Sequence, residues 1–172
     1  MSVTDIIDGY FSGEKLESAW IAIVGALALA VALVLWFVAR DPFARGLAAA
    51  LLLMAALGLV VGGTIYLRTD AQVAALHDLR ATNPARFAAD EDARIETVVK
   101  SFGTYRLAYA GAALLALVFV FAIGRPVFHG LAVGLLILAA LGLTIDFFAE
   151  ERAREYQRGL ADAGAILSQR DS

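Results

Sequence analysis

The sequence contains no cysteine, only two histidines and three prolines, and no run of five basic residues. Without cysteine it has no disulfide framework, thiol redox site or cysteine-ligated metal. Its 14 Lys and Arg are outnumbered by 17 Asp and Glu, so nucleic-acid binding has no electrostatic support. The Gly-x-Ser-x-Gly, His-Glu-x-x-His and phosphate-binding glycine motifs are also missing. We therefore expect no enzyme activity, no metal site and no cofactor.

Apolar sequence, by contrast, is abundant: 60% of the residues are hydrophobic and the mean hydropathy is +0.74. A soluble domain is usually about 45–50% apolar. Because a helix needs about 20 apolar residues to cross a bilayer, the chain predicts four membrane spans. They are residues 19–39, 46–67, 107–123 and 127–148. Acidic residues before the first span argue against a cleaved signal peptide, so we expect a permanent anchor.

An internal repeat organises these spans. A shift of 84 residues aligns residues 46–59 with residues 130–143, with ten of fourteen positions identical, and Pro42 with Pro126. Because an even number of spans separates the copies, both copies have the same orientation. We predict an all-α integral membrane four-helix bundle, one domain over 1–172, built from two tandem helical hairpins. Repeat 1 covers about 19–82 and repeat 2 about 103–166.

The first polar segment predicts a short helix. Thr4 is a possible N-cap, an apolar face follows it, and Ser12 with Gly13 ends the pattern. We expect this helix to lie on the membrane surface. Its apolar face consists of Ile6, Ile7, Tyr10 and Phe11.

Residues 68–106 predict a polar helical connection rather than a linker. Thr69 or Asp70 can cap a first helix, which Asn83 and Pro84 interrupt, and this pair is also a possible start of the next helix. An apolar stripe from about Asp92 predicts a helix that continues into the third span. Acidic residues 90–92 suit a helix start. Residues 149–168 predict a C-terminal extension of the fourth span. All these extensions lie on the face that bears both termini.

That face also carries eleven of the fourteen Lys and Arg. By the positive-inside rule we expect it to be cytoplasmic, in the bacterial cytoplasmic membrane. His77 and His129 then lie on opposite sides of the membrane and cannot share a metal.

Asp146 is the sharpest difference between the copies, because Gly62 stands at the equivalent position. A carboxylate in a span is costly and is a functional candidate. Two interpretations stay open: a structural ion pair, with Arg106 or along the row that begins at Asp146 and Glu150, or a proton or cation site. The candidate polar cluster at the membrane boundary comprises Asp146, Arg106, Glu150, Arg152 and Tyr109.

Two GxxxG patterns, Gly58 with Gly62 and Gly130 with Gly134, predict close packing of the second and fourth spans, within one chain or between chains. Largely featureless spans favour association as the function: a subunit, scaffold or immunity-like partner that binds a second copy or another membrane protein in the bilayer. The alternative is a small transporter or channel formed by the duplicated hairpins, with Asp146 as its ion or proton site. A lipid-modifying activity would have to use the boundary cluster.

Overall fold

The computed structural model describes the backbone of residues 2–170 and the side chains of residues 2–163. This part of the chain consists of four long helices and contains no strand. All four are long and apolar enough to cross a membrane. They are α1 (Val3–Ala39), α2 (Pro42–Thr82), α3 (Pro84–Ala122) and α4 (Pro126–Arg170).

The helices begin where the sequence provides stop and start signals. Each of the three prolines is the first residue of a helix, where its missing N–H removes no hydrogen bond. Asp41 caps α2 by accepting the Ala44 N–H at 3.0 Å, and Asn83 caps α3 by accepting the Arg86 N–H at 3.0 Å. The predicted turns at Pro42 and Pro126, and the predicted break before Pro84, are thereby confirmed.

The expectation of a short N-terminal surface helix is wrong. Helix α1 runs unbroken from Val3 through Ser12 and Gly13 into the first span, and Ser2 rather than Thr4 caps it. A glycine inside a helix costs only about 1 kcal/mol, whereas each large apolar side chain buried contributes about 1.5–3 kcal/mol. The four apolar side chains of this segment are buried against the other helices, which outweighs the glycine.

The polar connection also differs from the expectation. Helix α2 passes through Asp70 to Thr82 without a new start, and the Thr69 hydroxyl donates to the Ile65 carbonyl at 2.7 Å within the helix. Helix α3 begins at Pro84, the possible start that Asn83 and Pro84 offered, and passes through Asp92 without a new start. Residues 68–106 are therefore the end of α2 and the beginning of α3.

Helices α2 and α4 form the central pair, and each contacts all three other helices. Helices α1 and α3 lie on either side, and over the described backbone they do not approach each other closely. Near their first residues, α2 and α4 touch backbone to backbone. A Cβ on Gly46 would overlap the Val127 carbonyl, and a Cβ on Gly130 would overlap the Phe43 carbonyl. The two contacts are equivalent, because the sequence repeat relates each residue of one to a residue of the other.

Three apolar cores stabilise the bundle. The first inner core joins α1 to α2 and includes Ala32, Ala48 and Leu51. The second joins α3 to α4 through the equivalent residues of the second copy, Ala116, Ala132 and Leu135. The outer core lies beyond the spans and contains side chains from all four helices. Its buried members are Ile6, Ile7, Tyr10, Phe11, Phe87, Ile95, Phe102, Ala153 and Tyr156.

Candidate functional site

A partly open chamber of about 500 Å³ lies between the four helices. Its lining includes Met54 of the first inner core and Tyr10 and Phe102 of the outer core, so it separates the two ends of the molecule. All four helices contribute side chains. Its volume is within the range of about 300–1,000 Å³ that is usual for small-molecule sites.

The lining follows the sequence repeat. All but three of its residues form pairs at equivalent positions of the two copies. The first members of these pairs are Glu14, Glu17, Ser18, Ile21, Gly25, Met54, Leu57, Gly58, Val61, Ile65 and Arg68; the second members are Val98, Ser101, Phe102, Tyr105, Tyr109, Leu138, Leu141, Gly142, Ile145, Ala149 and Arg152. Tyr10, Val24 and Asp146 complete the lining. Residues at equivalent positions of the 84-residue alignment therefore line one shared space.

The two halves of the chamber differ in how closely their helices approach. In the first copy α1 lies directly on α2, because a Cβ on Gly58 would come within 2.9 Å of the Gly25 Cα. In the second copy Tyr109 replaces Gly25, and its ring lies where a Cβ on Gly142 would be. Helices α1 and α2 therefore touch through backbone atoms in the first copy, whereas α3 contacts α4 through the Tyr109 ring in the second copy.

The GxxxG glycines contact neighbouring helices of the same chain. Gly58 and Gly62 lie against α1, where a Cβ on Gly62 would come within 2.6 Å of the Ser18 carbonyl oxygen. Gly130 and Gly134 lie against α2. Close packing of the second and fourth spans thus involves the second pattern, while the first pattern joins spans one and two.

The two ends of the chamber differ in polarity. The end near Met54 and Leu138 is apolar, and the other end is polar. Along α4, Asp146 comes first and Arg152 follows, about 9 Å further along the axis at 1.5 Å per residue. Glu17 accepts a hydrogen bond from the Arg152 guanidinium, which joins α1 to α4.

Asp146 forms no ion pair within residues 2–163, so the expected structural pair is contradicted. Arg106 instead binds Glu150 at 2.9 Å, and Glu150 also binds Arg154 at 2.6 Å. The long Arg106 side chain extends toward the polar end of the bundle, where Glu150 lies. One carboxylate oxygen of Asp146 and one of Glu14 are buried without a hydrogen-bond partner among the described side chains.

The predicted boundary cluster is therefore divided. Asp146, Tyr109 and Arg152 line the chamber, whereas Arg106 and Glu150 do not. Glu150 is buried and paired with both arginines, and its pair with Arg106 joins α3 to α4.

The glutamates of α1 were not expected in a site. Tyr10, Glu14 and Ser18 follow at intervals of four residues and share one face of α1, all lining the chamber. The four-residue spacing is present in the sequence. The predicted helix end at Ser12 and Gly13, however, separates Tyr10 from Glu14 and Ser18, so the shared face could not be recognised. Burial raises the pKa of Glu14, which precedes the first apolar span, against the opposing charges of nearby arginines that include Arg68.

A second polar network lies in the outer core. Glu91 was expected to be a charge at a helix start, but its side chain is only 2% exposed. It accepts hydrogen bonds from the Tyr156 hydroxyl at 2.7 Å and from the Arg94 guanidinium at 2.6 and 2.8 Å. The guanidinium also lies over the rings of Tyr10 and Phe11. This network joins α1, α3 and α4 next to the chamber.

The chamber thus combines an apolar wall with aromatic rings and carboxylates at one end. Such a site can hold a molecule that has an apolar body and a polar or charged end. Comparisons with family models, with curated proteins and with solved structures find no match to this chain.

Proposed function

We propose that this chain is an integral membrane protein with four spans, built from two tandem hairpins of the same orientation. Outward-facing apolar side chains on every helix support the insertion, among them Leu27, Leu53, Leu114 and Leu143. In water such a surface would be costly, whereas lipid solvates it. The reciprocal contacts of Gly46 and Gly130, and the paired lining of the chamber, support the duplication.

We further propose that the protein is a small transporter whose chamber binds an amphipathic molecule. The observation that carries this proposal is the chamber itself, lined by all four helices between the inner and outer cores. The apolar end accommodates a hydrocarbon portion, and the polar end offers Asp146 and the glutamates of α1. No catalytic step is part of this proposal.

The chamber favours a transporter over association. Association drew support from GxxxG surfaces and from amphipathic extensions. The glycines lie against helices of the same chain, and the extensions pack on one another in the outer core. Both features are therefore used within the chain, and neither requires a partner.

Binding of amphipathic probes to the protein in phosphatidylcholine nanodiscs tests this proposal. The probes share a decyl chain and differ in the polar end: decanol, decanoate and decyltrimethylammonium. We expect at least one to bind saturably, at one molecule per chain. Leu141→Trp should abolish the saturable component because Leu141 lines the chamber.

Leu143→Trp is the matched control. Leu143 is 39% exposed and Leu141 is 40% exposed, but Leu143 does not line the chamber. Absence of saturable binding by all three probes, or equal binding by both tryptophan variants, would contradict the proposal. Binding without uptake of the bound probe into proteoliposomes would remove the transport step alone.

Association through α3 is a second candidate. Only 6% of the most apolar 18-residue stretch of α3 is buried, the smallest share among the four helices. The exposed apolar surface of α3 can bind a second copy or another membrane protein. Cross-linking between copies that carry cysteine at exposed Leu114 in native membranes would support it, and a monomer at every protein-to-lipid ratio would count against it.

A further inference from the structure

At two positions, the side of the chamber formed by the second copy carries a side chain where the side formed by the first copy has glycine. In the first copy Gly25, Gly58 and Gly62 bring α1 and α2 into backbone contact. The second copy has Tyr109 at the place of Gly25 and Asp146 at the place of Gly62, and both line the chamber. This side therefore presents an aromatic ring and a carboxylate where the other side presents only packed backbone.

The ring and the carboxylate are neighbours. The Tyr109 ring lies on Gly142, and Asp146 follows Gly142 by one turn on the same face of α4. Glu14 of α1 lines the same chamber. Carboxylates attract a cation by charge, and a tyrosine ring attracts it through its electron-rich face.

The cationic residues of the lining do not cancel this preference. Arg152 is paired with Glu17, which leaves Arg68 against the two carboxylates of Glu14 and Asp146. Each of these carboxylates has a buried oxygen without a hydrogen-bond partner in the described part of the chain. The Nε of Arg152 is also buried without a partner there, but its guanidinium already binds Glu17. Asp146 also lies nearer the apolar end than either arginine, so a ligand whose tail fills that end brings its head to Asp146.

We propose that the ligand of the chamber is an organic ammonium compound with an apolar tail, and that Asp146 and Tyr109 bind its charged head while Glu14 adds negative charge from α1. This inference rests on the proposed binding function. The apolar tail lies among Met54, Leu57 and Leu138. A neutral amphipath fits the same space without the charge contacts, and an anionic one is repelled by Asp146.

The three decyl probes measure this preference in competition. We expect decyltrimethylammonium to bind at least about tenfold more tightly than decanol, because a desolvated cation–π contact and a carboxylate together exceed the 1.4 kcal/mol that a tenfold ratio requires. Asp146→Asn should remove most of that ratio, because ammonium binding loses its opposing charge and decanol binding does not. Tyr109→Leu should reduce the ratio, whereas Tyr109→Phe, which keeps the ring, should preserve it.

Saturable decanol binding shows in each variant that the chamber still forms. Equal affinity for decanol and the ammonium probe, or an unchanged ratio in Asp146→Asn, would overturn the inference while the binding function stands. Tightest binding of decanoate would also overturn it and would point to Arg68 instead. Failure of all three probes in the wild-type protein would reject the binding function itself.

Discussion

Glu91 shows how a single buried charge can hold three helices together. Its carboxylate accepts hydrogen bonds from Arg94 on its own helix and from Tyr156 on α4, and Arg94 in turn lies over Tyr10 of α1. A buried ion pair often adds little net stability compared with apolar packing. Removing one partner is a different matter, because the other charge is then left buried and unpaired.

We therefore expect Glu91→Ala to lower the free energy of unfolding by about 3–5 kcal/mol. Tyr156→Phe, which removes one hydrogen bond to a charged group, should cost about 1.5–3 kcal/mol. Glu96→Ala is the control on the same helix, because its pair with Lys100 is exposed and adds little to stability. Reversible unfolding in mixed micelles measures all three variants, and a Glu91→Ala cost no larger than that of Glu96→Ala would refute this role.

The sequence could not have identified Glu91, for a physical reason. Three acidic residues in succession resemble a solvated helix start, and the Tyr156 partner lies 65 residues further along the chain. By contrast, Asp146 could be recognised from the sequence, since an acidic residue in an apolar span is conspicuous. The sequence could not show that Asp146 lacks an ion pair, because the pairing depends on how far the Arg106 side chain extends.

At the scale of helices, the glycines of the central pair set the distance between α2 and α4. A Cβ at Gly46 or Gly130 would overlap a carbonyl oxygen of the other helix, and a backbone atom cannot rotate away as a side chain can. We expect Gly46→Ala and Gly130→Ala each to destabilise the protein by about 1–3 kcal/mol, the usual cost of overpacking. Their similar size follows from the reciprocal contacts.

Gly63→Ala provides the matched control in α2, because a Cβ there would meet no atom within 4 Å. It should leave the thermal midpoint in detergent unchanged or slightly raised, since alanine favours a helix over glycine. A loss of stability in Gly63→Ala equal to that in Gly46→Ala would show that helix propensity, not the contact between α2 and α4, is responsible.

Helix boundaries were predictable where proline marks them and were wrong where weaker signals were used. Pro42, Pro84 and Pro126 each begin a helix. The sequence predicted a helix end at Ser12 and Gly13 and a helix start at Thr69. Packing of side chains in the outer core keeps α1 and α2 helical through these positions. Local preferences of about 1 kcal/mol per residue do not withstand several buried apolar side chains.

The proposed duplication accounts for the organisation of the whole molecule. The equivalent inner cores, the exchanged glycine contacts and the paired lining all relate the two copies, and the chamber lies between them. The repeat itself was visible in the sequence, as was the Gly62 to Asp146 difference. The chamber was not, because its lining requires the relative position of two hairpins, and several pairs such as Ile21 and Tyr105 share no chemistry.

The proposed four-span arrangement predicts opposite exposure of the two ends of the bundle. Because the chain has no cysteine, single cysteines at Ala81 and at Gly124, both exposed, report on each end without background. By the positive-inside rule, an impermeant maleimide added to intact bacterial cells with a permeable outer membrane should label Gly124→Cys and spare Ala81→Cys. Permeabilising the inner membrane should then expose Ala81→Cys. The reverse pattern would invert the orientation but keep four spans, whereas labelling of both from outside would contradict the membrane arrangement.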